Sequence, residues 1–126
     1  MPIIAASFDG PQKAIVMPFM AGGTLTDRLA PGQEGQDRLS SHARVRVLAG
    51  ATQGLAYFHA RGLLHWDVKS ENILLDWRGG QLEGILADAG FAKQEGSAEH
   101  GARYSTRLGQ VGTIGYTDPY YAANNR

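Results

Sequence analysis

The longest regular pattern in this chain of 126 residues is a helical repeat over residues 41–61. Apolar and small side chains recur there at helical spacing, at Val45, Leu48, Ala51, Thr52, Leu55 and Phe58 or His59. Ser40 fits the N-cap of this helix, and Gly62 fits the left-handed position after its end. Gly50 and Gly54 lie inside the repeat, where each costs about 1 kcal/mol relative to alanine. We therefore expect this helix to pack closely against a neighbouring element.

Short elements are predicted before the helix. Residues 2–8 and 14–17 favour a hairpin, because a strong turn signal separates two short apolar runs. Thr24, with Asp27 three residues later, favours a capping box at the start of a short helix that runs through Leu29.

A second hairpin is predicted after the long helix, from residues 73–75 and 82–87. Gly79 and Gly80 fit the turn between its strands. Gly84 interrupts the apolar pattern of the second strand, and we interpret it as a further turn. Little periodicity follows residue 88, which is typical of a long functional loop.

Composition excludes several classes of protein. Twelve lysines and arginines balance twelve aspartates and glutamates, so no excess charge favours a nucleic acid or an anionic membrane as partner. The chain has no cysteine, which excludes a disulfide scaffold, a thiolate zinc site and a cysteine nucleophile. No apolar run approaches the roughly 20 residues of a membrane-spanning helix. The length suits one small domain.

Polar side chains flank the second hairpin at the ends where its strands begin and finish. Asp67, Lys69 and Asn72 precede the first strand, and Asp88 follows the second. A hairpin brings these positions to one end, where carboxylate and amide oxygens suit Mg²⁺ and a lysine neutralises phosphate charge. One carboxylate remains to accept a proton from a hydroxyl nucleophile. The combination favours a phosphoryl-transfer site, although Asp-x-Lys alone is more often a solvated surface and Asp-x-Gly alone a turn.

The same residues carry a family resemblance. The run from His65 to Leu75 resembles the catalytic loop of eukaryotic protein kinases, and Asp88-Ala89-Gly90 resembles their Asp-Phe-Gly magnesium motif. Residues 112–119, Gly-Thr-Ile-Gly-Tyr-Thr-Asp-Pro, resemble the substrate-facing end of the activation segment. The Gly-Thr-x-Gly-Tyr form of this segment, with Lys69 two residues after Asp67, is similar to the group of Ser/Thr kinases that includes the interleukin-receptor-associated, Pelle and plant receptor-like kinases. The resemblance covers essentially the whole chain.

The resemblance implies an α+β, protein-kinase-like fold that is incomplete. Residues 1–126 would form a partial kinase domain. About the first 20 residues would be small-lobe strands and hinge, and residues 21–126 would run from the start of the large lobe through the activation segment. The implied activity is ATP-dependent phosphorylation of Ser/Thr hydroxyls on a protein substrate. The implied location is cytoplasmic, or the intracellular part of a longer membrane receptor-like protein.

The resemblance also implies a role for each site residue. Asp67 would accept the proton of the substrate hydroxyl, and Lys69 would steady the transferred phosphoryl group and Thr113. Asn72 and Asp88 would hold Mg²⁺ against the phosphates of ATP. The remaining implied residues are those near adenine (Met17 as gatekeeper, Phe19, Met20 and Leu74) and those that face the substrate (Thr113 and Gly115).

Three substitutions depart from the family pattern and leave alternatives open. Trp66 stands in place of an arginine that pairs with a phosphorylated activation loop, Ala89 in place of phenylalanine, and Tyr120 in place of glutamate. The sequence also has neither the glycine-rich phosphate loop nor the lysine strand. We therefore expect little activity in isolation. The alternatives are a pseudokinase-like binding or scaffold module, or a chain that does not fold stably alone.

Overall fold

The computed structural model describes residues 3–30, 39–95, 113 and 115–120. In this part of the chain two strands are followed by two helices and then by four more strands, and a 3₁₀ turn, Ser70–Asn72, precedes the fourth strand. In order, the elements are β1 (Ala5–Ser7), β2 (Ala14–Val16), α1 (Leu25–Leu29), α2 (Ser41–His59), β3 (Leu63–Leu64), β4 (Ile73–Arg78), β5 (Gln81–Leu86) and β6 (Lys93–Gln94). The mixture of helix and strand agrees with the expected incomplete kinase-like fold.

The strands form three separate antiparallel pairs. β1 pairs with β2, β4 pairs with β5, and β3 pairs with β6. Both predicted hairpins are confirmed, with shorter strands in the first and longer strands in the second. The β3–β6 pair was not predicted, because two residues on each side carry no readable alternation.

The hydrophobic core lies between α2 and the β4–β5 hairpin. Leu75 of β4 and Val47 of α2 are completely buried. The other buried members of the core are Leu25, Leu39, Ala51, Ile73, Leu82 and Leu86. Residues 65–72 connect β3 with β4, and His65, Asp67 and Asn72 of this segment are buried.

Glycines bring α2 against β5 at backbone distance. A Cβ atom on Gly50 would collide with the carbonyl oxygen of Gly84, and a Cβ on Gly84 would collide with the carbonyl of Val47. A Cβ on Gly54 would lie 2.9 Å from the Cβ of Leu86. The predicted close packing of α2 is thus confirmed. The interpretation of Gly84 as a turn is wrong, because it lies inside β5 where the helix leaves no room for a side chain.

The ends of α2 agree with the prediction more closely than its buried face does. Ser40 accepts a hydrogen bond from the Ala43 amide at 3.2 Å, and Gly62 has a φ of 64°. The helix ends at His59 rather than at residue 61. Its periodic residues Val45 and Leu48 are mostly exposed, since the hairpin lies under the face that carries the glycines and Val47.

The segment between β2 and α1 is anchored to β4. The Gly22 amide donates to the Leu75 carbonyl at 2.9 Å, and the Leu75 amide donates to the Gly23 carbonyl at 2.8 Å. Thr24 and Asp27 form the predicted capping box at the start of α1. Within the described residues, no helix is long and apolar enough to span a membrane.

Candidate active site

The register of the β4–β5 hairpin sets Asn72 and Asp88 at the same open end. Ile73 lies opposite Leu86, and the next amide, that of Ala87, donates to the Asn72 carbonyl at 2.9 Å. Asp88 is the following residue. The hairpin therefore brings together two of the polar positions that the sequence predicted to be neighbours.

Asp67 is the centre of the site. Only 5% of the Asp67 surface is exposed, and the carboxylate accepts three side-chain hydrogen bonds. Asn72 Nδ2 lies 2.9 Å from Oδ2 and also donates to the Asp67 carbonyl at 2.8 Å. Lys69 Nζ lies 2.8 Å from Oδ2, and the Thr113 hydroxyl donates to Oδ1 at 2.9 Å. These bonds fix the direction of the carboxylate.

The electrostatics of the cluster keep both charged groups ionised. Burial alone would raise the pKa of Asp67, but hydrogen bonds from Lys69, Thr113 and Asn72 outweigh it and lower the pKa. The hydrogen bond to Asp67 raises the pKa of Lys69, and the charges of Asp67, Glu71 and Asp88 act in the same direction. The site thus holds a fixed carboxylate beside a fixed ammonium group.

His65 supports the loop from below. It is 2% exposed, and its Nε2 lies 3.1 Å from the Ala87 carbonyl. The Asp67 amide donates to Nδ1 at 3.4 Å, so the hydrogen-bond network favours the tautomer with its proton on Nε2. His65 therefore joins the Asp67 backbone to the end of β5.

Thr113 reaches this cluster from the far end of the chain. Its hydroxyl accepts from Lys69 Nζ at 2.7 Å while it donates to Asp67. Its carbonyl accepts from the amides of Tyr116 at 3.0 Å and Thr117 at 3.2 Å, and Gly115 has a φ of 95°. The expected neighbourhood of Asp67, Lys69 and Thr113 is thus present. Gly112 and Ile114 of the same motif lie outside the described residues.

Asp88 is placed near the cluster without joining its hydrogen bonds. Among the described residues, its carboxylate accepts from the Gly90 amide at 3.1 Å. Asp88 and Trp66 have φ values of 57° and 66°, and they are the non-glycine residues with positive φ in the described ranges. Backbone in this conformation is strained and often marks a functional site. Both residues border the candidate site.

The donor set fits Mg²⁺ in part. Both amide hydrogens of Asn72 have Asp67 as partner, so the oxygen Oδ1 is the atom that can face a cation. Asp88 offers a carboxylate at the same end of the hairpin. No group of three or more histidine, aspartate or glutamate side chains forms a metal cage within the described residues. Two oxygen ligands match Mg²⁺, which commonly completes its shell with water and phosphate oxygens.

The residues expected near adenine form a more open group. Leu74 is half-buried and forms an isolated β-bridge with Thr24, so it lies beside the segment that follows β2. Phe19 is 90% exposed and Met17 is also exposed, whereas Met20 is buried. The four residues thus differ widely in burial, from the buried Met20 to the almost fully exposed Phe19.

Sequence analysis missed a cluster of hydroxyl groups around Ser70. Thr26 Oγ1 and Tyr116 Oη each lie 2.6 Å from Ser70 Oγ. Ser70 Oγ in turn donates to Glu71 Oε2 at 3.3 Å. Nothing local in the sequence signals this cluster, since 44 and 46 residues separate Ser70 from its two hydroxyl partners.

Comparison with known families places the chain clearly. A family model described as "Protein kinase domain" matches residues 4–125. Similar proteins include an LRR receptor-like serine/threonine-protein kinase of Oryza sativa subsp. japonica, which is 41% identical over 112 residues, or 86% of this chain. A nodulation receptor kinase of Pisum sativum is 37% identical over 124 residues, or 96% of the chain.

A third relative is shorter. It is named a probable serine/threonine-protein kinase of Arabidopsis thaliana, and it is 37% identical over 122 residues, or 94% of the chain. The matched regions cover 10% and 13% of the two receptor kinases and 30% of the Arabidopsis protein. The chain therefore spans a minor part of the curated relatives that it matches.

Proposed function

The chain belongs to the protein kinase family and is a protein Ser/Thr kinase by resemblance, and from that premise we propose that its Asp67 site serves ATP-dependent phosphorylation of protein Ser/Thr hydroxyls. The observation that carries the proposal is the buried Asp67 carboxylate, which Lys69, Thr113 and Asn72 hold in one direction. Phosphoryl transfer depends on positioning and charge stabilisation, and this cluster supplies both.

Each residue has a distinct part in the proposed reaction. The oxygen of the substrate hydroxyl attacks the terminal phosphorus of ATP, the bond from that phosphorus to the bridging oxygen breaks, and ADP leaves. Asp67 accepts the hydroxyl proton, and its lowered pKa keeps the carboxylate ionised at neutral pH for this role. Lys69, whose pKa is raised, stays cationic and stabilises charge on the transferred group. Thr113 and Gly115 face the substrate, and Thr113 also holds Asp67 and Lys69 at their present separation.

Protein kinases generally use ATP and Mg²⁺, and we extend this to the present chain. Asn72 Oδ1 and the Asp88 carboxylate would hold Mg²⁺, which neutralises phosphate charge when bound. Leu74, Met20, Met17 and Phe19 would line the adenine side. We place residues 1–20 in small-lobe strands and hinge, and residues 21–126 in the first part of the large lobe. The location proposed for this domain is cytoplasmic, as an independent protein or as part of a receptor.

The test is phosphoryl transfer to a Ser/Thr peptide by the full-length protein in which these residues occur. Asp67→Asn keeps the shape of the side chain but removes the base, and we expect the rate to fall by about 10²–10⁴-fold. The matched control is Asp76→Asn, which changes a carboxylate on β4 whose ion pair with Arg78 is a long 3.8 Å. Equal rates for wild type and Asp67→Asn would refute the proposed mechanism.

A binding or scaffold module is the second candidate. Trp66 and Ala89 favour it, since both depart from the family pattern beside the catalytic residues. The exposure of Met17 and Phe19 on the adenine side also favours it. Thermal-shift titration with Mg-ATP separates the candidates, because a ligand that binds the folded state raises its stability by RT ln(1 + [L]/Kd). A shift together with phosphoryl transfer supports the kinase, whereas no shift at millimolar nucleotide favours the scaffold or a chain that does not fold stably.

A further inference from the structure

Ser70 joins three parts of the chain through its hydroxyl group. Thr26 belongs to α1, Glu71 to the 3₁₀ turn, and Tyr116 to the segment that carries Thr113. Each contact with another hydroxyl is 2.6 Å, which lies at the short end for O–H···O bonds. Ser70 is half-buried, so these bonds are partly shielded from water.

The donors and acceptors of the cluster have one consistent assignment. A serine hydroxyl has one hydrogen to donate and two lone pairs to accept. Because Glu71 can only accept when ionised, Ser70 donates to Glu71 and accepts from both Thr26 and Tyr116. The chain of hydrogen bonds thus ends on a carboxylate. The carboxylate polarises the hydroxyl groups and so strengthens the hydrogen bonds between them.

The cluster lies next to the candidate catalytic residues on two sides. Ser70 directly follows Lys69, and Tyr116 closes the turn whose first residue, Thr113, bonds Asp67 and Lys69. The turn is therefore attached to the catalytic loop at two points, one through Thr113 and one through Tyr116. Two attachments fix an orientation that one bond would leave free to rotate.

We propose that Ser70 is a positioning residue of the phosphoryl-transfer site. It holds helix α1 and the turn that carries Thr113, Tyr116 and Thr117 in place against the loop that carries Asp67. This inference rests on the proposed function. Within the described residues, the hydrogen bonds of the Ser70 hydroxyl go to Thr26, Glu71 and Tyr116 and not to Asp67 or the expected metal ligands, so it acts through Tyr116 and Thr113. Its effect falls on the alignment of the substrate-facing turn and not on nucleotide binding.

The test compares Ser70→Ala, Tyr116→Phe and the double variant in the full-length protein, with peptide and ATP varied separately. Loss of one neutral hydrogen bond corresponds to about a threefold to tenfold change, and we expect kcat to fall by this factor with the KM for ATP unchanged. The double variant should lose no more than Ser70→Ala, because the bond that Tyr116→Phe removes is one of those that Ser70→Ala removes. Ser70→Thr keeps a hydroxyl group at this position, so its kcat should be close to that of the wild type and above that of Ser70→Ala.

The matched control is Tyr57→Phe. Tyr57 is exposed, its ring stacks on the Arg61 guanidinium at 3.5 Å, and its hydroxyl has no part in the cluster. Amide hydrogen exchange provides a readout that needs no turnover. The Tyr116 and Thr117 amides, which donate to the Thr113 carbonyl, should exchange faster in Ser70→Ala than in Tyr57→Phe.

The results that would overturn the positioning role differ from the result that would overturn the proposed function. If Ser70→Ala matches Tyr57→Phe in kcat and in exchange at Tyr116 and Thr117, or if the losses of the two single variants add, the positioning role is wrong. If Asp67→Asn retains the wild-type rate, the proposed function is wrong whatever Ser70→Ala does. A fall in kcat with an additional rise in the KM for ATP would also overturn the proposal, since the cluster would then act on nucleotide binding.

Discussion

The two β-hairpins of this chain have the same topology but opposite environments. Every residue of β1 and β2 is exposed, whereas β4 and β5 alternate between buried and half-buried positions beneath α2 except at their exposed ends beside the turn. Ile15 of β2 is 53% exposed, and Leu75 of β4 is 0% exposed. The difference comes from α2, which covers the second hairpin through glycine contacts and leaves the first one uncovered by the described residues.

The two halves of the candidate site differ in burial in the same way as the two hairpins. Asp67, Asn72 and His65 are buried, and they rest on the hairpin that has a core. The adenine-side residues Met17 and Phe19 follow the hairpin that has none. The base side of the site therefore rests on a core within this chain, while Met17 and Phe19 on the adenine side are exposed. Four substitutions test this difference, each as a change in the free energy of unfolding.

The largest expected effect follows truncation in the second hairpin. Leu75→Ala removes a fully buried side chain between α2 and β4, and we expect a loss of about 2–5 kcal/mol. Urea unfolding followed by circular dichroism measures it. A loss below the effect of Ile15→Ala would contradict the assignment of the core.

The next effect tests the contact of α2 with β5. Gly50→Ala adds a methyl group where the Gly84 carbonyl leaves no space, and we expect a net loss of about 2 kcal/mol even though alanine favours the helix. Ala49→Ser is the control, because it adds one atom on the exposed face of the same helix. Stabilisation by Gly50→Ala would show that the helix and hairpin do not approach this closely.

Local signals predicted much of this structure, and non-local contacts account for what they missed. The capping residues Thr24 and Ser40 and the terminal Gly62 act within a few positions of themselves, so sequence alone identified them. Which face of α2 is buried depends on where the hairpin lies. The helical repeat therefore included Val45 and Leu48, although both are mostly exposed in the structure. Gly84 was interpreted as a turn because the contact that leaves no room for a side chain there is made by another element, α2.

The candidate site shows the same division. The spacing of Asp67, Lys69, Asn72 and Asp88 was sufficient to predict that the hairpin would gather them. The Ser70 cluster needed the fold, because its bonds to Thr26 and Tyr116 join parts of the chain that no local pattern connects.

A smaller effect is expected at the site itself, with a defined pH dependence. Thr113→Val removes one bond to the Asp67 carboxylate and should cost about 1 kcal/mol at neutral pH. Because that bond lowers the Asp67 pKa, its contribution is present above the ordinary aspartate pKa and is lost as pH falls through the lower folded-state pKa. Unfolding at about pH 7 and about pH 2 should show the difference narrowing in acid. An equal loss at both pH values would assign the effect to packing.

The smallest effect is expected in the first hairpin. Ile15→Ala removes a side chain that is already exposed, and the change in stability should stay within about 0.5 kcal/mol. The same unfolding measurement serves as readout. A loss comparable with that of Leu75→Ala would show that β2 has a covered face and would remove the contrast between the hairpins.

Amide hydrogen exchange on the 126-residue chain measures both hairpins in one experiment and therefore tests the contrast between them. We expect the amides of α2, β4 and β5 to be protected together and those of β1 and β2 to exchange rapidly. Equal protection in the two hairpins, or rapid exchange throughout α2, would contradict the claim that the Asp67 half of the site rests on a core of its own.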